Sequence, residues 1–392
     1  MKERGNRSWD QRATAWTAIA VLAVGVSWGA RLAAHDDDDD RHFDSAHQAF
    51  ERETFGGNGR TCVTCHSRGS GTVSPENAQD RFTRNPHDPL FRGDGTDDGA
   101  GHGVQRMLTD ATVLIRIPLP DNVSLASDSS ARSVVFRRGI PSTINTPSLD
   151  PVLMYDGRHG SLESQALAAI ADHAQATRTP TAKELEQIAV FERTRPFFSS
   201  HALWEFAWTG RPPELPRGNT ASERRGRRFF EDAPIGSGSD GKTGLCAACH
   251  SGAMLNETNQ FIPAPPFRRG GRFQSVLVSE LNEAGNPVFD FVFRNGDGTT
   301  TTVSSPDPGR ALVTGSPAQG ESLNAFKIPT LWGVAQTAPY FHDNSAKSLE
   351  DALRHYAKFF AIISTPPGGG APGIDIGEQD RKDIVAFLKL LR

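Results

Sequence analysis

Cys62 and Cys65 are separated by two residues and followed at once by His66, and the same pattern returns as Cys246, Cys249 and His250; the chain of 392 residues has no other cysteine. Three chemistries use such residues. A disulfide framework requires neither histidine. A zinc knuckle takes four protein ligands around one ion, so any choice of four leaves two of these six residues without a task. Covalent attachment of haem uses every one of them, because two thiols add to the vinyl groups and the adjacent histidine reaches the iron. The spacing therefore predicts two covalently bound haem c groups, with His66 and His250 as iron ligands.

The first 34 residues fit the compartment this chemistry needs. Lys2, Arg4, Arg7 and Arg12 precede an uncharged run from Ala13 to Ala30, and Ala33-Ala34 stand before a polar stretch, the layout of an export signal. The run is also long enough to serve as an N-terminal membrane anchor, which takes about 17 to 25 residues. Residues 35–42 read as an acidic linker. The expected location is the periplasm. The whole chain carries a net charge of −4, and residues 1–34 hold five basic and two acidic side chains, which leaves −7 on the remainder. An acidic body argues against nucleic acid and suits a basic redox partner, a cytochrome c or small copper protein. A hydrophobic content of 37% and a mean hydropathy of −0.45 belong to a soluble globular body.

The segments C-terminal to the two motifs repeat one pattern. Both halves contain P-[ST]-L, then an aspartate, then S-L-E five residues on; Asp156 lies 90 residues after His66 and Asp343 lies 93 after His250. The fold expected is mainly α, two tandem class I cytochrome c-like haem domains at 43–210 and 211–392 with β-hairpin insertions. The boundary falls in the proline-rich stretch Thr209 to Asn219. Helices are expected before each haem motif and after Ser161 and Ser348, which read as N-caps. Strand-like runs occur at 113–120, 133–139, 273–281 and 287–303, and residues 71–103 read as a long polar surface loop.

On the helix after Ser348, Leu349, Ala352, Leu353, Tyr356, Phe359 and Phe360 form one apolar stripe. Tyr356 thus points inward, and His355 sits about 100° away around the helix. The same count of eight from Ser161 reaches Ala169, or Ile170 with a one-residue insertion, and neither binds iron. The first half therefore has no counterpart of Tyr356. His87, His102 and Met107 are the residues of the long loop that could replace it.

The paired haem motifs, "NTPSL" with "YDGRHGSLESQA", and "APYFHDNSAKSLEDALRHY" resemble the bacterial dihaem cytochrome c peroxidase and MauG family from about Phe43 onward; the loop after the first haem and the β insertions fit poorly. The resemblance implies an oxidoreductase in which the C-terminal haem supplies electrons and the N-terminal haem reacts with peroxide or oxygen. It makes Tyr356 the axial ligand of the second haem, with His355 as the alternative. It puts Tyr155 in place of a tryptophan, an aromatic that relays electrons or simply packs, and makes Gln165 a pocket residue. Gln175 stands where a catalytic glutamate is expected. An amide cannot move a proton between peroxide oxygens, and His173 is the nearby titratable substitute. For an interdomain calcium, the carbonyls of Thr337 and Pro339 match, whereas Gly139 replaces an asparagine ligand. Two other functions compete: a non-catalytic electron-transfer cytochrome, and a MauG-like oxidase or oxygenase acting on a partner protein or organic substrate.

Overall fold

A computed structural model describes residues 45–150, 152–234, 237–239, 241–256, 272–282, 285–364 and 374–392; the export segment and acidic linker lie outside these. The chain opens with a helix through 45–51 (α1) and a single turn at Cys62–Cys65 (α2). Then come α3 (Pro75–Arg84), α4 (Gln105–Asp110), β1 (Thr112–Pro118), β2 (Val123–Leu125) and β3 (Ser133–Gly139). The first half closes with α5 (Thr146–Leu149), α6 (Leu162–Asp172), α7 (Ala182–Glu192) and α8 (His201–Thr209). After an irregular connection through 210–219 the second half runs through α9 (Ala221–Arg228), β4 (Phe273–Gln274), α10 (Val278–Leu281), β5 (Phe289–Arg294), β6 (Thr300–Ser305), α11 (Ala311–Thr314), β7 (Phe326–Lys327), α12 (Leu349–Ile363) and α13 (Glu378–Leu388). Among the described residues no helix is long and apolar enough to cross a membrane.

Local chemistry explains the helix starts. Thr181 with Glu184, Thr220 with Glu223 and Ser348 with Asp351 form reciprocal capping boxes on α7, α9 and α12. Ser161 caps α6 by accepting from the Ser164 amide. In each half a phenylalanine pair ties the N-terminal helix to a later one: Phe50 of α1 meets Phe191 of α7, and Phe230, just after α9, meets Phe387 of α13, both at 5.3 Å between ring centroids. In the second half the crossing is close: a Cβ on Gly226 of α9 would lie 2.0 Å from the Asp383 carbonyl oxygen of α13.

Two expectations are corrected. The stretch after the first motif is not a surface loop. It folds as α3, two short 3-10 turns and α4, and it buries Leu90, Phe91 and Met107 in the same core as β1 and β3. The run 273–281 is strand only at β4; its end is the helical turn α10. The β insertions also do more than decorate separate halves. β1 pairs with β3 and β5 with β6, as the runs suggest, but β2 of the first half pairs antiparallel with β5 of the second, Val123 opposite Phe293. Residues 42–392 cluster as one unit.

Candidate active site

Each cysteine-histidine motif floors its own cavity, about 140 Å³ for the first and about 260 Å³ for the second. The two motifs are built alike. The backbone N–H of His66 donates to the Cys62 carbonyl at 3.0 Å, and that of His250 to Cys246 at 2.9 Å. Nδ1 of His66 lies 2.8 Å from the Gly71 carbonyl oxygen, and Nδ1 of His250 lies 2.8 Å from that of Leu255. Gly71 and Leu255 both take positive φ, 66° and 53°, which turns those carbonyls back toward the rings. With Nδ1 engaged as donor, Nε2 of each imidazole keeps its lone pair for a metal. Burial lowers both pKa values, that of His250 to about 4, so the rings are neutral, as ligands must be.

All four thiols are free, and burial pushes those of Cys62, Cys65, Cys246 and Cys249 up. Among the described residues no three His, Cys, Asp or Glu side chains gather as a metal cluster, so the zinc alternative finds no support in the geometry. Two unpaired thiols and a neutral, oriented imidazole on the wall of an apolar cavity fit haem c in both halves.

The aspartate turns repeat as well. Bridges Leu153–His159 and Tyr340–Ala346 straddle Asp156 and Asp343 at equal spacing, and Met154 and Phe341 both hold positive φ. These turns lead into α6 and α12, which line the two cavities. Tyr356 on α12 lines the second cavity with His250, and burial raises its hydroxyl pKa. His355 faces elsewhere, with Nε2 2.7 Å from the Val276 carbonyl oxygen. In the first cavity α6 presents Gln165, Ala169 and Ile170, so the position of Tyr356 is taken by a methyl group. His87 and His102 are exposed, and Met107 is packed in the core of the β1–β3 region; none of the three lines the first cavity. Tyr155 lines both cavities.

His173 lines the first cavity, and Gln175 does not. Gln175, at φ 52°, accepts from Asn58 through Oε1 at 3.1 Å outside it. His173 Nδ1 is hydrogen-bonded to Asp94, which also pairs with Arg60. Burial alone would raise the Asp94 pKa, but the bond from His173 and the charges of His173 and Arg60 outweigh it, and its pKa lies below the ordinary carboxylate value. The sequence reading missed Asp94, whose turn-rich surroundings show no periodicity. It also missed Glu192, which lines the first cavity from the end of α7; aligning α7 with α13 would have exposed it. At the supposed calcium position a Cβ on Gly139 would lie 2.1 Å from Asn344 Oδ1, so Asn344 fills that space.

The chain is a relative of the bacterial dihaem cytochrome c peroxidase and MauG family, which is a family of oxidoreductases, as the sequence resemblance implied. It is 25% identical over 300 residues to the methylamine utilization protein MauG of Methylorubrum extorquens, covering 68% of this chain and 69% of that one. It is 36% identical over 150 residues to the cytochrome c551 peroxidase of Nitrosomonas europaea, covering 37% and 30%, and 27% identical over 200 residues to a cytochrome c peroxidase of Escherichia coli, covering 48% and 31%. The chain thus spans about two thirds of the first relative and under a third of the two peroxidases. Among solved structures, the diheme peroxidase BthA of Burkholderia thailandensis covers 90% of this chain and 86% of its own, with 15% identity and a TM-score of 0.48. No family model matches the chain.

Proposed function

We propose that the chain is an exported, peroxidase-like oxidoreductase of two tandem class I cytochrome c-like halves. One haem c is held by Cys62, Cys65 and His66, and one by Cys246, Cys249 and His250. The bound haems supply redox-active iron. Electrons enter the second site from a small redox protein and pass to the first, where hydrogen peroxide, two electrons and two protons give two water molecules. The observation that carries this division of labour is the contrast between Tyr356 and Ala169 at matching places on α12 and α6. The tyrosine oxygen in the second cavity would help His250 hold the iron of a haem bound there, while the first cavity offers room for a small oxidant.

The chain's own groups supply the rest. Asp94 fixes the His173 imidazole through Nδ1, leaving Nε2 to take a proton from peroxide and return it to the departing oxygen. Gln165 can orient the oxidant by hydrogen bonding. Tyr155, shared by both cavities, is the aromatic group best placed between the sites. Tyr356 also favours a second reading, oxidation of a partner protein as in a MauG-like enzyme, and a donor-free assay on protein substrates separates it.

The test is peroxide turnover with a reduced cytochrome c as donor, on protein whose denatured mass exceeds the apo value by two haems. General acid–base help contributes about 10²- to 10⁴-fold, so His173→Ala should lower kcat by that order. Gln175→Glu should leave turnover unchanged, since position 175 lies outside the cavity. A chain without haem ends the proposal. A wild-type protein that exchanges electrons with the donor but consumes no peroxide is an electron carrier.

A further inference from the structure

Glu192 has no part in the chemistry above, yet it is the least explained group in the first cavity. It is the last residue of α7, 4% exposed, and its Oε2 has no hydrogen-bond partner among the described residues. It lies near enough to Cys62 for its charge to raise that thiol's pKa, after the larger effect of burial. The repeat shows what a merely structural residue would be. Ile188 and Glu192 line the first cavity from one face of α7, as Ile384 and Leu388 line the second from α13. Phe191 and Phe387, each one residue earlier than the position in question, hold the helices in register through their equal contacts with Phe50 and Phe230. Where the second half has Leu388, the first has a carboxyl group. Burying an unpaired carboxylate costs several kcal/mol, roughly the penalty known for ions in protein interiors.

We infer that Glu192 is the proton-holding group of the first cavity, taking up one proton at its carboxylate for each electron delivered there. The inference rests on the proposed haem at Cys62 and Cys65. A ferric haem core carries one unit of positive charge more than a ferrous one. When a one-electron donor removes that charge, the nearby carboxylate loses an attraction and gains a proton; one O–H bond forms and no other bond changes. Burial raises the Glu192 pKa to about 8, with Glu163 adding to the rise and Arg193 opposing it, so the group lies within reach of titration near neutrality.

The other charged groups around it are already committed. Arg193, just after α7, faces Glu163 of α6 at 4.0 Å. Of the cavity-lining groups, Glu53 accepts from the Phe55 amide at 2.7 Å, Arg60 and His173 are held by Asp94, and Arg138 and Arg158 are held by Asp156. His66 is bonded through Nδ1 to Gly71. His173, hydrogen-bonded to Asp94, serves as the control.

The experiment uses full-length holoprotein, with haem content and peroxide turnover measured on every sample. The potential of each haem is followed from mildly acidic to mildly alkaline pH, and infrared difference spectra are recorded on electrochemical reduction. In the wild type the first haem's potential should fall as pH rises, and a carboxylic acid carbonyl band should grow on reduction. Glu192→Gln and Glu192→Leu, the latter copying Leu388, should flatten the slope and abolish the band, while the second haem's potential stays as it was. A slope that persists in both variants, one lost only in His173→Ala, or a wild type without the band overturns the inference. Lost turnover with slope and band intact would instead sink the peroxidase reading alone.

Discussion

The two histidines that come after the cysteines are bonded alike through Nδ1, and one difference between their cavities lies at a matching position on a later helix. His250 shares its cavity with Tyr356, and His66 shares its own with Ala169. His355, adjacent in sequence to Tyr356, is withdrawn by its bond to the Val276 carbonyl. Replacing Tyr356 by phenylalanine keeps the ring contacts with Phe341 and Phe359 and removes only the oxygen. Tyr356→Phe should therefore change one ferric haem signal to high spin or to a new ligand set, with haem content unchanged. His355→Ala should leave that signal where it is, and electron paramagnetic resonance of the resting protein distinguishes the two. The reverse outcome would make His355 the ligand.

At the scale of elements, the helix crossings decide whether a cavity exists. α9 and α13 approach closely because position 226 carries no side chain, and Asp383 ties them together by accepting from Ser222 Oγ at 2.6 Å and from Arg225 Nε at 2.6 Å. Gly226→Ala puts a methyl group against backbone, which cannot yield as a flexible side chain does. The helices must part, at a cost of about 1–3 kcal/mol, the range for overpacking. The expected outcome is a lower thermal midpoint and weaker haem retention in the second half, with the first haem's spectrum unchanged. An unchanged midpoint would show that the crossing can relax. Elements of this kind were legible in the sequence because their signals are local: the Ser161 and Ser348 caps, the apolar stripe on α12, the strand-like run that becomes β1. The pairing of β2 with β5 was not, since three residues of β2 carry no period and their partner lies in the other half. Asp94 and Glu192 were missed for a related reason: the meaning of each comes from what tertiary packing brings to it, His173 for the one and an apolar cavity wall for the other.

Across the whole molecule the halves are joined by a buried ion network. Arg138, at the end of β3, donates through Nη1 to Asp156 at 2.6 Å and through Nε and Nη2 to Asp307 at 2.7 and 2.9 Å. Asp156 opens the turn before α6, and Asp307 comes just after β6, so one guanidinium ties the first half's cavity wall to the second half's insertion. Burial alone would raise the Asp156 pKa; the charges of Arg138 and Arg158 reverse this and hold it at about 2. A carboxylate depressed in the folded state stabilises above its unfolded pKa, and that contribution is lost as pH falls through the folded value. Breaking a buried pair by removing one partner costs about 3–5 kcal/mol. Arg138→Met should therefore lower unfolding free energy by about that amount at neutral pH. It should cost less in acid, because without the guanidinium Asp156 protonates more readily and no longer strands negative charge in the interior. Urea titrations of wild type and variant at neutral and acidic pH measure the difference directly. A gap that stays constant from neutral pH down toward pH about 2 would mean that packing of the arginine stem, and not its charge, holds the halves together.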